Sequence, residues 1–186
     1  NIADGSLKWR HPNDKPKSNK AYYADPVLIE DMQLIAVAYD NNIYILDTAQ
    51  QVAEREKLFF AGASNRYVAA PLVTELGIFA PNADGILYAL DFKGNQRWVY
   101  KTEKAIWAKP AIDAVGETIY IASMDHHLYA VDTLSGQLKW KSPNLGGALV
   151  GSPVIGPGGE IFIGTFGNEV IALEPQMGTI QWRSII

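Results

Sequence analysis

Four stretches of the chain alternate apolar with small or polar residues in two runs, separated by a polar turn and ended by an acid. They are Leu34–Asp47 (LIAVAYDNNIYILD), Ile78–Asp91 (IFAPNADGILYALD), Ile119–Asp132 (IYIASMDHHLYAVD) and Ile161–Glu174 (IFIGTFGNEVIALE). Alternation with period two, rich in Ile, Tyr, Val and Leu, predicts a β-hairpin in each. The terminal acids are spaced by 44, 41 and 42 residues. A proline precedes each hairpin, at Pro26, Pro71, Pro110 and Pro153, and Trp98, Trp140 and Trp182 follow at intervals of 42. Proline suits the first residue of a strand, where no ladder donor is lost. Short first strands are therefore expected at Pro26–Ile29, Pro71–Thr74, Pro110–Ile112 and Pro153–Ile155, with a fourth strand carrying each tryptophan.

A period near 42 with four short strands is the signature of a β-propeller blade. No segment sustains a helical period, so the expected class is all-β, with about four four-stranded antiparallel blades. Their expected bounds are 22–60, 66–100, 106–142 and 149–186, within one segment spanning 1–186. Ala49–Leu58 (AQQVAEREKL) is made of helix formers and reads as a short helix or an irregular fourth strand. Seven residues before the acids stand Asp40, Asp84, Asp125 and Gly167, followed by Asn41, Gly85, His126 and Asn168. These types tolerate the positive φ that a two-residue hairpin turn needs, so His126 reads as a turn residue before it reads as a ligand. A second turn carries Gly94, Gly136 and Gly178, each four residues before its tryptophan. A tryptophan so placed can wedge between adjacent blades, and truncating it to alanine should cost about 3–5 kcal/mol.

Asn1–Trp9 (NIADGSLKW) aligns residue for residue with Asp132–Trp140 (DTLSGQLKW). It is expected to be the fourth strand of a preceding blade, with its connection running to residue 12, so the array should be an open arc. Residues 10–22 (RHPNDKPKSNKAY) are polar and basic, with Arg10, Lys15, Lys17 and Lys20. They read as a solvated loop or as a rim insertion facing an anion or a partner.

Composition narrows the function classes. The net charge of −4 gives no basis for nucleic-acid binding, which needs clustered Lys and Arg. There is no cysteine, which excludes disulfides and thiolate metal sites. The longest uncharged run, Leu145–Gly159, is broken by Gly and Pro and does not suit a membrane span. No signal peptide is visible, and it would lie upstream of a preceding blade.

The repeat Ala130–Trp140 (AVDTLSGQLKW) resembles the motif of the pyrroloquinoline-quinone (PQQ)-type propellers: Ala, any, Asp, two any, Thr or Ser, Gly, then Trp four residues on. Ala89–Trp98 (ALDFKGNQRW) matches with one deletion, and Ala172–Trp182 (ALEPQMGTIQW) matches with Glu for Asp. The copy from Ile45 is degenerate and puts Arg55 where the tryptophan should be. The resemblance covers essentially the whole chain. It implies half of a seven- or eight-bladed ring, with the remaining blades missing, and an extracytoplasmic place, periplasmic or at the cell surface. Members of that family include quinoprotein dehydrogenases, the lipoprotein subunit of the outer-membrane β-barrel assembly machinery, and sensor domains of signalling proteins.

A dehydrogenase of this family would hold PQQ and calcium through oxygen ligands, with a catalytic Asp, a Trp platform and usually a vicinal disulfide. The Cys pair is absent here. Asp47, Asp91, Asp132 and Glu174 sit at the motif position, where hydrogen bonding to the following turn is the expected role. His126 and His127 are adjacent on a strand and point to opposite faces, which argues against one shared metal ion. No catalytic, cofactor-binding or metal-ligating residue is therefore assigned. Trp107, outside the motif, stands at the entry to a first strand, with Tyr23, Val68 and Val150 as counterparts. The hairpin turns and strand entries are expected to share one face carrying Tyr22, Tyr23, Asp40, Asn41, Arg66, Tyr67, Asn82, Trp107, Asp125, His126, His127 and Asn168. That aromatic and hydrogen-bonding composition suits recognition of a protein partner. The expected function is a non-catalytic scaffold or binding module. The alternatives are part of a PQQ- and calcium-dependent dehydrogenase, or an extracytoplasmic sensor domain.

Overall fold

The computed structural model describes residues 4, 6, 7, 21–29, 33–49 and 56–185. Among them every regular element is a strand. The first sheet is β1 (Val27–Leu28), β2 (Gln33–Val37), β3 (Ile43–Asp47) and β4 (Glu56–Phe60). The second is β5 (Leu72–Thr74), β6 (Gly77–Pro81), β7 (Ile86–Leu90) and β8 (Gln96–Lys101). The third is β9 (Ala111–Ile112), β10 (Thr118–Ala122), β11 (Leu128–Asp132) and β12 (Leu138–Lys141), and the fourth is β13 (Val154–Ile155), β14 (Ile161–Thr165), β15 (Glu169–Leu173) and β16 (Ile180–Ile185). Each sheet keeps its strands in chain order and pairs them antiparallel, so each is a meander. No helix among the described residues is long and apolar enough to cross a membrane.

Local chemistry sets these hairpins. Each predicted proline stands one residue before a first strand. Asn41, His126 and Asn168 have φ of 69°, 74° and 60°, and Gly85 has 84°, the left-handed geometry of a tight hairpin turn. Asp47, Asp91, Asp132 and Glu174 accept backbone N–H bonds from the next turn, for example Ser135 N to Asp132 Oδ1 at 2.8 Å and Met177 N to Glu174 Oε2 at 2.8 Å. These acids are structural.

The core lies between the sheets. Ile78 and Ala80 of β6 pack against the first sheet, while Phe79 between them packs against the third. In β10, Ile119 and Ile121 face the second sheet, and Tyr120 and Ala122 face the fourth. Inner strands are thus buried on both faces, which is why their sequences read as near-continuous apolar runs. Three clusters result, one at each junction of consecutive sheets, and among the described residues none joins the first sheet to the fourth. The array is a β-propeller of four blades that does not close on itself.

The tryptophans lock the junctions. Trp98 Nε1 donates to Thr133 O in the third sheet at 3.1 Å, and Trp140 Nε1 donates to Pro175 O in the fourth at 2.8 Å. A Cβ added at Gly136 would lie 2.6 Å from the Trp98 ring, and one at Gly178 would collide with Trp140. Gly136 and Gly178 are therefore seats for the previous blade's indole. Trp182 has no such seat among the described residues and is 46% exposed.

The first sheet departs from the motif. Its register sets Lys57 opposite Ile45, where the other sheets set Trp98, Trp140 and Trp182 opposite Ala89, Ala130 and Ala172. Lys57, rather than Arg55, occupies the tryptophan position, because the turn between β3 and β4 is longer than its counterparts. Phe59 fills the junction instead, with its carbonyl against Gly94. Within Ala49–Leu58, residues 56–58 are strand, and residues 50–55 lie outside the described residues. The strand expected over Asn1–Trp9, the connection to residue 12 and the basic stretch 10–20 also lie outside them, save Asp4, Ser6 and Leu7, which are not in a strand.

Candidate functional site

Three residues before each strand-opening proline stand Tyr23, Val68, Trp107 and Val150. They converge, one from each sheet, on a cavity of about 330 Å³ that also takes in Tyr39 and Arg66. The connections that deliver Val68, Trp107 and Val150 are pinned on both sides, and Ala21 O, ahead of Tyr23, accepts Tyr39 N at 2.8 Å. Tyr67, Ile106 and Leu149 donate their N–H groups to Ala38, Asn82 and Ser123 of the preceding sheet, at 3.2, 3.1 and 3.2 Å. The residue before each, Arg66, Ala105 or Ala148, accepts an N–H from its own sheet's hairpin turn, at 3.1, 3.0 and 3.0 Å. Tyr67, Ile106 and Leu149 are fully buried anchors. The next residue along an extended chain points the other way. That presents Val68, Trp107 and Val150 to the cavity.

The cavity carries accessible aromatic surface and one cation. Tyr23 is 72% exposed and Trp107 40%. Tyr23 meets Tyr39 edge-on at 5.7 Å between ring centroids. The Arg66 guanidinium lies 5.2 Å above the Tyr39 ring, a cation–π contact that fixes the charge at the rim. Exposed Trp and Tyr with an Arg is the composition of interface hot spots. Tyr39 is the cavity residue that the sequence argument left out. Its signal was its place just before the turn aspartate, the repeat position held by Ala83, Met124 and Phe166 in the other sheets.

The other sequence-named residues divide between hairpin tips and interior. Asp40, Asn41, His126, His127 and Asn168 lie at the tips, at least partly exposed. Tyr67, Asn82 and Asp125 are buried and form no part of an exposed face. Asp40, Asp84 and Asp125 each accept a hydroxyl from the tyrosine four residues on, Tyr44, Tyr88 and Tyr129, at 2.6, 2.8 and 2.7 Å. Asp84 also accepts Ser64 N, and Asp125 accepts Glu103 N, so both tie a hairpin to the incoming connection. Burial first, then the hydrogen bond to the carboxylate, push the Tyr88 and Tyr129 phenols up, so both remain donors. Asn82 bridges Asn65 O and Asp84 N at 2.8 and 2.9 Å. Tyr67 keeps a buried hydroxyl without a hydrogen-bond partner, and burial raises its pKa. His127 places Nδ1 2.8 Å from Ser142 O, while His126 supplies the left-handed turn residue. Among the described residues no three His, Asp or Glu side chains gather to hold a metal ion.

Comparison with known proteins agrees with this architecture. A family model described as outer membrane protein assembly factor BamB matches residues 56–186. The outer membrane protein assembly factor BamB of Moranella endobia (strain PCIT) is 28% identical over 122 residues, covering 60% of this chain and 31% of that protein. The crystal structure of BamB from Moraxella catarrhalis superposes with a TM-score of 0.70 at 15% identity, over 89% of this chain and 53% of that one. At that identity the structural likeness is one of fold. The chain spans about a third of the curated relative's length and about half of that solved chain. The family match takes in well over half of the residues, and it falls on the same turn acids, glycines and seated tryptophans that build the blades. The chain belongs to the family of the outer membrane protein assembly factor BamB, a family of PQQ-like β-propeller repeats.

Proposed function

We propose that this chain is a non-catalytic interaction module that works outside the cytoplasm, in the periplasm, and holds a protein partner for outer-membrane protein assembly. The observation that carries the reading is the cavity at the strand entries, where Tyr23, Trp107 and Arg66 stand exposed on a rigid frame. Strand entries pinned from two sheets keep Arg66 and Trp107 in place before a partner arrives, which lowers the ordering cost of binding. The role in assembly rests on the family. The acids and tyrosines at the blade turns are consumed by structural hydrogen bonds, so what the surface offers is contact chemistry: an aromatic platform for an apolar side chain and a guanidinium for a carboxylate.

The test is photo-crosslinking in a Gram-negative cell envelope, with a photoreactive phenylalanine analogue at Trp107 and, as a control, at Leu58, exposed on β4 and outside the cavity. The expected result is an adduct with a component of the outer-membrane assembly machinery from position 107 alone, lost on Arg66→Glu. Equal labelling from both positions, or no adduct from position 107, would sink the proposal.

A further inference from the structure

A second cavity, of about 510 Å³, lies at the other end of the molecule, between the third and fourth sheets. Its floor includes the ring pair Tyr120 and Trp140, with centroids 5.8 Å apart. The same pair recurs as Phe79 with Trp98 and Phe162 with Trp182, at 5.7 and 5.9 Å, so the packing does not need a hydroxyl. Tyr120 has one. The residue is only 2% exposed and lines the cavity, and among the described residues nothing hydrogen-bonds its Oη. Its Oη therefore keeps its hydrogen-bonding capacity for whatever enters the cavity.

The rim is acidic. Asp113 and Glu117 line the opening. The one cation there, Lys139, is already occupied: its Nζ donates to Glu117 O and Thr118 Oγ1, both at 2.9 Å, and lies 3.9 Å from Asp132. Asp113 uses Oδ1 to accept Glu117 N at 2.8 Å. Burial first, then the nearby Asp113 and Glu174 carboxylates, push the Tyr120 phenol up to about 12, so it stays a neutral hydroxyl facing a negative field. The opposite wall is apolar, from Ile155 and Pro157. Val115 on the lining and Met177, next to the lining residue Gln176, stand exposed, which suits a polypeptide better than a small free cation.

We propose that this groove is a second binding site, which takes the side chain of an arginine carried by a partner protein. The Tyr120 Oη and the Asp113 carboxylate accept from the guanidinium, and Ile155 and Pro157 cover its aliphatic stem. A planar fork of five donors can serve two acceptors at once, and the stem is apolar enough to lie along the wall. The site is independent of the cavity around Trp107 and lies at the opposite end of the sheets.

The experiment is a titration of the full 186-residue chain with acetyl-Leu-Arg-Leu-amide, followed by amide and indole NMR. Saturable shifts are expected at Gly156, Gly158 and the Trp140 indole N–H. Tyr120→Phe keeps the packing that Phe79 and Phe162 already exemplify, and should weaken binding about tenfold through one lost hydrogen bond. Asp113→Asn keeps the acceptor for Glu117 N and should weaken binding similarly. The same peptide with citrulline should not bind. Four results would overturn the proposal: equal binding of the citrulline peptide, unchanged affinity in both variants, shifts confined to the Trp107 cavity, or no shifts up to roughly 10 mM peptide.

Discussion

Trp140 and Trp182 hold the same position in the repeat and differ in what lies above them. Trp140 is 9% exposed, with its indole N–H bonded across the junction, while Trp182 is 46% exposed. Trp140→Ala should therefore cost about 3–5 kcal/mol in urea denaturation, and Trp182→Ala about 1 kcal/mol. Equal losses would mean that the indoles act within their own sheets rather than between sheets. A pH effect belongs to the same scale. The Ser135 hydroxyl and N–H, bonded to Asp132, hold its carboxyl below the usual carboxylate range, and Asn95 does the same for Asp91. A depressed folded-state pKa contributes stability above the unfolded value of about 3.9 and loses it as pH falls through the folded value. The melting temperature should drop below about pH 4, and Asp132→Asn should flatten that acid limb. An unchanged acid limb in the variant would show that Asp132 is not among its causes.

At the scale of the element, the turn is the unit that specifies the blade. Gly136 has φ of 70° and sits under the Trp98 ring. Gly136→Ala meets both the left-handed backbone and the indole, and should cost about 2 kcal/mol or more. Its near-ultraviolet circular dichroism should change with it, since Trp98 must move. Turns were also what made the fold legible in the sequence. The acid, the glycine and the positive-φ residue are local requirements, so their spacing shows through without knowledge of neighbours. Burial at the blade ends did not show through. Asp125 looks like an exposed turn residue, yet its Oδ2 accepts Glu103 N from the connection out of the second sheet, and that contact removes it from solvent. Tyr67 and Asn82 are buried for the same kind of reason: partners supplied by another sheet. The degenerate first blade was misregistered by two residues because its longer turn changes the count between acid and fourth strand while the ladder itself stays regular.

For the whole molecule, two ends carry two chemistries. The strand entries gather aromatic rings and a guanidinium, while the opposite end holds an acidic groove with an unpaired phenol. Trp107 stood out in the sequence because it lay outside the motif. Tyr120 did not, because tyrosine for phenylalanine at one strand position is ordinary variation until the cavity beside it is seen. The two sites make separable predictions. Arg66→Glu should abolish crosslinking at Trp107 and leave the arginine peptide's affinity unchanged, whereas Tyr120→Phe should do the reverse. Coupled losses would show a single extended interface.

The glycine seats also give the array a direction in time. A ribosome releases the chain from its N-terminus, and each indole precedes its seat by about 40 residues: Trp98 comes before Gly136, and Trp140 before Gly178. At roughly 5–20 residues per second, each newly made blade waits a few seconds with its tryptophan uncovered before the next turn arrives. Synthesis therefore carries one sticky aromatic face forward at the growing end, passing it from blade to blade. That moving face, more than any finished sheet, is where a nascent-chain chaperone would find something to hold.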